Sequence, residues 1–291
     1  MKIGFIGAGK VGTAFSKHLH SQGFKICGYY SEPYSGAVSA AELTESKAFT
    51  SLEDFCRESE LIFITTPDDI ISEVAVNIAR LGYLESRHII GHMSGALSSR
   101  ILTEAVEISG CDSFSLHPLQ AFAELNNSLR DLPKTFFSLE GSEKALKEMQ
   151  AIMQKLGNPL LEIKQEQKTL YHAAACIVSN YLVTLLDFGL DFLQSIGIEK
   201  NEGLTALMPL IEGSLNNTKN LGPAKALTGP IARGDAQTVK QHLQAIEENI
   251  PEQIKLYSVL ALRTLELAQK EKLHDAKKIA LLKEYLEDSH G

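Results

Sequence analysis

The 291-residue chain has only four cysteines, and Cys27, Cys56, Cys111 and Cys176 stand apart without a C-x-x-C pair. That scatter argues against a zinc site and against a disulfide framework. All four read as small buried hydrophobes, and no metal is expected. Positive charge is also in short supply: 28 Lys and Arg against 36 Asp and Glu give a formal net charge of −8. Without a Lys/Arg run there is no footprint for a phosphate backbone, so nucleic acid is not an expected partner. Long apolar runs are missing too. Leu61 to Thr66 and Ala173 to Val178 fall well short of the ~20 residues that span a bilayer, and no membrane association is expected. The opening Met1-Lys2-Ile3-Gly4-Phe5-Ile6-Gly7 reads as a first strand with no cleavage site, so a cytoplasmic protein is expected. No internal repeat stands out.

What is present is ordinary globular material, 44% hydrophobic and 22% charged, in a chain long enough for two domains at roughly 150 residues each. Over residues 1–163 short β-rich runs alternate with helical periodicity, which predicts βαβ units. The predicted strands are Lys2 to Ile6, Lys25 to Tyr30, Leu61 to Thr65, His88 to Gly91, Ser113 to Leu116 and Thr135 to Leu139. The predicted helices between them are Lys10 to Ser21, Asp69 to Leu81, Ser98 to Ile108 and Ser142 to Leu156. From 164 to 291 strand signals fade, and helices are predicted at Gln165 to Ser195, Glu202 to Asn217, Ala236 to Asn249, Glu252 to Lys270 and Asp275 to Ser289. The fold class is therefore α/β: a doubly wound, mostly parallel sheet in 1–163, followed by an all-α domain in 164–291.

Gly7-Ala8-Gly9-Lys10-Val11-Gly12 fits G-x-G-x-x-G between a strand and a helix, the context a dinucleotide fingerprint requires. Gly7 permits the tight turn, Gly9 admits the pyrophosphate, and Gly12 brings the helix close to the strand. The second strand ends in Gly28-Tyr29-Tyr30-Ser31-Glu32-Pro33. With no acid at Tyr30 or Ser31 to repel a 2′-phosphate, the pattern favours NADP(H) over NAD(H), with Ser31 and Ser35 as phosphate donors. Glu32 reads as a solvated loop acid. Thr65, Thr66 and Pro67, after the Leu61 strand, are expected to pass the nicotinamide ribose, while Asp68 or Asp69 caps the next helix. Two polar clusters close later strands, His92-Met93-Ser94-Gly95-Ala96 and His117-Pro118-Leu119-Gln120. They place Ser94 with the cofactor and His117 with the substrate, although a histidine in such a place is more often structural.

On the helix opening the second domain, a turn of about 100° per residue brings Lys168, His172 and Ser179 within roughly 40° of each other beside Ala173, Ala174 and Ala175. A confined Lys has its pKa lowered toward proton donation. Lys168 is the candidate general acid, His172 orients it or the substrate, and Ser179 and Asn180 bind polar groups. The competing reading is a helix start with a solvated Lys and packing alanines. A Gly/Pro loop, Leu227 to Asp235, offers Thr228 and Arg233 to a carboxylate. At even odds, Asp235 instead caps the following helix and Arg233 pairs locally.

These stretches, Gly7 to Gly12, His92 to Ala96, Ser115 to Gln120, Tyr171 to Ala175 with Ser179-Asn180, and Leu227 to Pro230 with Arg233-Gly234-Asp235, resemble the two-domain Rossmann-like reductases related to ketopantoate reductase, 6-phosphogluconate dehydrogenase and pyrroline-5-carboxylate reductase. Within that superfamily the chain looks like a subgroup with a long-uncharacterised helical C-terminal domain. The resemblance implies an NADPH-dependent reductase of a small 2-oxo acid, with ketopantoate first and pantothenate biosynthesis as the setting. The superfamily carries Lys followed four residues later by Asn, and here His172 follows Lys168, so Asn180 or His172 stands in for the missing partner. Alternatives are an imine reductase of the pyrroline-5-carboxylate type, a prephenate-dehydrogenase-like oxidation suggested by His117-Pro118, and a dinucleotide sensor without catalysis. The apolar surface of the long helix from Gln165 and of the late helices at Glu252 to Leu267 predicts a homodimer through the second domain.

Overall fold

The computed structural model describes residues 1–122 and 124–288. Eight strands form one sheet: β1 (Lys2–Ile6), β2 (Lys25–Tyr30), β3 (Lys47–Phe49), β4 (Leu61–Ile64), β5 (Ile89–His92), β6 (Asp112–Pro118), β7 (Phe137–Gly141) and β8 (Leu160–Glu162). Their order is β3-β2-β1-β4-β5-β6-β7-β8. Strands β1 to β6 run parallel, β7 turns antiparallel to β6, and β8 follows β7 in parallel. The order reverses between β1 and β4, and a doubly wound sheet opens its ligand crevice at such a switch point.

The helices are α1 (Lys10–Ser21), α2 (Tyr34–Leu43), α3 (Leu52–Glu58), α4 (Ile71–Arg80), α5 (Thr103–Ser109), α6 (Leu125–Asp131), α7 (Glu143–Leu156), α8 (Lys168–Ser195), α9 (Lys200–Leu221), α10 (Pro223–Ala226), α11 (Pro230–Arg233), α12 (Ala236–Asn249), α13 (Ile254–Gln269) and α14 (Ala276–Asp288). Most of the expected elements form within a residue or two of their sequence bounds. Strands β3 and β8 and helices α2, α3, α6, α10 and α11 go beyond the expectation. The two strands have three residues each, too few for a period of two to register.

The chain divides into two compact units, Met1–Asn180 and Tyr181 onward. The sequence boundary at 163/164 marks where strands stop, whereas the packing boundary falls inside α8. The start of α8 therefore belongs with the sheet. In the first unit Phe5, Phe63 and Phe114 line one face of the sheet in ring contact, Phe5 with Phe63 at 5.1 Å and Phe63 with Phe114 at 5.2 Å. In the second unit α11 to α14 enclose Val239, Leu265, Leu282 and Leu286. Helix α8, with its preceding turn Gln165–Ser195, is long and apolar enough by length and composition to cross a membrane, longer than the apolar stretches weighed in the sequence.

Candidate dinucleotide and proton-donor site

The glycine loop after β1 opens a cavity of about 550 Å³ whose wall includes Gly7, Ala8, Gly9, Ser31, Thr65, Thr66 and Pro67. Gly7 holds φ +96°, a left-handed conformation for which glycine is the natural residue. A Cβ on Gly12 would collide with the Thr65 side chain, so helix α1 approaches β4 as the fingerprint requires. Thr65 also donates its hydroxyl to the Gly7 carbonyl at 2.8 Å and so braces the loop. Gly9 caps α1 with no side-chain cap of its own, which leaves first-turn N–H groups for an anion. A Cβ on Gly9 would meet nothing closer than 3.6 Å. These features fit a dinucleotide pyrophosphate. Lys10, Val11 and Gly12 build the helix start and are not on the cavity wall.

Glu32 also lies on the wall and accepts the Tyr30 hydroxyl at 2.7 Å. This carboxylate pushes the Tyr30 phenol up to about 12. Glu32 is exposed, as the solvated loop acid of the sequence reading is.

The Ser94 hydroxyl donates to Asp68 Oδ2 at 2.6 Å and accepts the Ala96 and Leu97 N–H groups at 3.2 and 3.1 Å. It ties two loops together and lies outside the wall of the 550 Å³ cavity. Asp68 thereby takes up Ser94 instead of a side-chain cap on the following turn. His92 is wholly buried. Its Nδ1 accepts the Ser94 N–H and its Nε2 donates to the Ser98 carbonyl, both at 3.2 Å. Burial, reinforced by the Lys168 charge, lowers it to about 4. This histidine fixes its loop.

The other polar strand end does reach a cavity. In β6, Ser113, Ser115 and His117 alternate with Phe114 and Leu116; in β7, Ser138 and Glu140 alternate with Phe137 and Leu139. Antiparallel register sets His117 opposite Ser138 and Ser115 opposite Glu140, so all four polar side chains share one face of the sheet. The start of α8 lies against that face. Lys168 is 1% exposed, not the solvated lysine of the competing reading, and its Nζ donates to Ser138 Oγ at 3.3 Å. Burial lowers the Lys168 ammonium to about 8, against the opposing charges of Glu140 and Asp68. Glu140 is itself buried and accepts the Ser99 N–H at 2.6 Å and the Ser99 hydroxyl at 2.7 Å.

Next to Lys168, the Tyr171 hydroxyl lies 2.9 Å from His117 Nδ1. Burial and the Lys168 charge lower His117 to about 3. His117 and His172 meet edge to face, centroids 6.1 Å apart. Both line a second cavity of about 210 Å³ with Gln120, Cys176, Ser179 and Asn180. Cys27, Cys56 and Cys111 are buried as expected; Cys176 instead lies on this wall, its sulfur 3.7 Å from His172 Nε2.

The structure therefore brings His117, His172, Ser179 and Asn180 together, with Lys168 behind them. Thr228 and Arg233 lie in the other unit, both exposed. There Asp235 accepts the Thr238 N–H at 3.1 Å and caps α12, the structural role that the sequence held at even odds. Sequence reasoning assigned no role to Ser138, Glu140 and Tyr171. The signal for the first two was the strict polar/apolar alternation of β6 and β7, which marks a polar face on a sheet otherwise read as buried. Among the described residues no cluster of His, Cys, Asp or Glu could hold a metal ion.

A Rossmann-like domain model matches residues 1–118, and a domain of unknown function, DUF2520, matches residues 135–264. No curated protein matches. Among solved structures, protein TM1727 from Thermotoga maritima is 27% identical, with a TM-score of 0.75 over 93% of this chain and 100% of that one. A putative NADP oxidoreductase, BF3122 from Bacteroides fragilis, is 23% identical, with a TM-score of 0.70 over 91% and 98%. The Plasmodium falciparum pyrroline carboxylate reductase with NADP bound is 18% identical, with a TM-score of 0.57 over 97% and 98%. The fold is that of a Rossmann-like sheet domain followed by a helical region.

Proposed function

We infer that the protein is an NADP(H)-dependent reductase of a small carbonyl compound, and that a 2-oxo acid such as 2-dehydropantoate is its substrate. The observation that carries this reading is Lys168. An ammonium withdrawn from water and lowered to about 8 is a group that gives up its proton readily near neutral pH, and here it belongs to the same unit as a dinucleotide loop. The Rossmann-like match and the solved structures titled as NADP oxidoreductase and NADP-bound reductase support the cofactor.

Gly7, Ala8, Gly9, Thr65, Thr66 and Pro67 would hold the pyrophosphate and the nearer ribose, and Ser31 the 2′-phosphate. When bound, the reduced nicotinamide supplies a hydride. The chain's own residues supply the proton, from Lys168, and the cavity in which His117, His172, Ser179 and Asn180 orient the substrate's oxygen atoms.

A second reading, reduction of an imine, is favoured by a 210 Å³ cavity whose wall does not include Lys168, since a substrate that arrives already protonated needs no lysine acid. The test is NADPH oxidation with ketopantoate, pyruvate and pyrroline-5-carboxylate, beside an NADH control. Turnover of an oxo acid that is lost in Lys168→Ala supports the first reading. Turnover of the imine that survives this substitution supports the second. Saturable NADPH binding with no turnover of any of them would leave a nucleotide sensor. We further place the protein in the cytoplasm, as a homodimer through its helical region.

A further inference from the structure

Helix α4 presents two faces to two different surroundings. Ile71, Ala75, Ile78 and Ala79 are buried in the hydrophobic core. Ile70, just ahead of the helix, and Glu73, Val74 and Asn77 stand at the spacing of a single helical stripe, and all four lie on the wall of the 550 Å³ cavity. Leu52, at the start of α3, adds to the apolar part of the same wall. Leu52 and Val74 both pack against the core, so this part of the wall is held from behind. The polar part of the stripe is not used within the chain. Among the described residues the Glu73 and Asn77 side chains have no hydrogen-bond or ion-pair partner, whereas Arg80 on the same helix pairs with Glu104 at 2.6 Å.

The cavity draws its wall from the loops after β1, β2 and β4 and from α4, while Lys168 donates to Ser138 on β7, which lies beyond β5 and β6 in the order of the sheet. A dinucleotide whose pyrophosphate rests on the glycine loop and whose nicotinamide faces the Lys168 side turns its other base toward this cavity. Adenine has two apolar faces and an edge that carries an amino donor beside a ring-nitrogen acceptor. Leu52, Ile70 and Val74 suit the faces. At the edge, an asparagine amide can pair with both groups, and a carboxylate accepts from the amino group.

We propose that Glu73 and Asn77 recognise the amino edge of the adenine of NADP(H), so that the site selects the base of its cofactor as well as the phosphates. The proposal rests on the dinucleotide reading of this cavity. Hypoxanthine carries a carbonyl oxygen where adenine carries the amino group. Glu73 then faces an acceptor with an acceptor, and Asn77 keeps only the bonds that its own N–H groups can donate. A cofactor altered at this one position loses affinity, although its sugars, phosphates and nicotinamide are unchanged.

The test compares NADPH with reduced nicotinamide hypoxanthine dinucleotide phosphate by fluorescence titration of the full chain, without substrate. The native protein is expected to bind NADPH about fivefold more tightly, the size of one exposed hydrogen bond. Glu73→Gln keeps an acceptor and adds a donor, and should narrow the ratio to about twofold or less by tightening the analogue. Asn77→Ala should narrow it by weakening NADPH. Both positions are exposed on a helix, and glutamine and alanine are good helix formers. The charge lost in Glu73→Gln acts equally on two ligands with the same phosphates and cancels in the ratio. Equal affinities in the native protein, or a ratio that either variant leaves unchanged, overturn the base recognition and leave the cofactor reading standing. A native protein that binds neither ligand overturns the dinucleotide reading and this proposal with it.

Discussion

Glu140 lies two residues beyond Ser138 on the same face of β7, and Ser138 is the hydroxyl to which Lys168 donates. The buried carboxylate, fixed by two bonds from Ser99, is the leading charge that keeps Lys168 protonated against the cost of burial. Asp68 contributes in the same sense, while His92 and His117, lowered by burial, face the site as neutral rings. A rate that needs the Lys168 ammonium should therefore fall above pH of about 8. Removing the negative charge in Glu140→Gln destabilises the ammonium and should move that break to lower pH, with the NADPH dissociation constant unchanged. A pH–kcat profile of both proteins checks this; coincident breaks would contradict it.

Lys168 also sets activity against stability. Its pKa falls from 10.5 in water to about 8 in the fold, so between those values the unfolded chain binds more protons and stability rises with pH. Below pH 8 the full cost of burying the ammonium is borne. Lys168→Met keeps the apolar stem and removes the charge, and should raise unfolding free energy at pH 7 by on the order of 2 kcal/mol while abolishing turnover. Denaturant titrations at pH 7 and pH 10 should show the gain shrinking at the higher pH. A variant less stable than the native protein at pH 7 would refute this account.

His92 and His117 act on stability in the acid range. Their folded pKa values, about 4 and about 3, lie below the ordinary 6.5, so the fold binds fewer protons than the unfolded chain through that window. The stability they contribute is complete above pH 6.5 and is lost as pH falls toward 4. The midpoint of denaturant unfolding should drop steeply between pH 6.5 and 4, and His92→Asn should flatten the slope. An equally steep slope in the variant would assign the acid sensitivity to carboxylates alone.

The dinucleotide loop was legible because its determinants are contiguous: a strand, three glycines and a helix start within twelve residues. Lys168 was legible as a polar residue on an apolar helix face. What it touches was not, because Ser138 and His117 meet only through the antiparallel register of β6 and β7, and β7 reverses a sheet that the βαβ pattern predicts as parallel. Helix α8 begins where the strands end, so the sequence assigned it to the helical domain, although its first turns pack on the sheet unit. The Asp68–Ser94 bond joins loops 26 positions apart, a distance over which no local pattern carries information.

Glu32 gives the cofactor site a test of its own. Its exposed carboxylate accepts the Tyr30 hydroxyl on the wall of the 550 Å³ cavity, and with NADPH bound as proposed it stands near the 2′-phosphate and weakens by like charge a preference that Ser31 sets. Glu32→Gln removes the repulsion and should tighten NADPH several-fold relative to NADH. Fluorescence titration with both cofactors measures the ratio, and an unchanged ratio would remove Glu32 from cofactor discrimination.

The second unit leaves more apolar surface in water than its own core accounts for. Tyr181, Val183 and Leu185 on α8 are 62%, 68% and 46% exposed, and Leu210 and Leu215 on α9 are 68% and 52% exposed. The buried core of this unit draws its residues from α11 to α14, not from these two helices. Monomeric proteins rarely leave a large apolar patch in water, and a second copy covering these side chains would bury them in a hydrophobic dimer interface. Light scattering at micromolar concentration should give twice the chain mass, and Leu210→Glu with Val183→Glu should give monomers that unfold at lower temperature. A native protein that runs as a monomer would exclude the dimer. One that leaves solution with lipid vesicles would assign the same helices to a membrane surface instead.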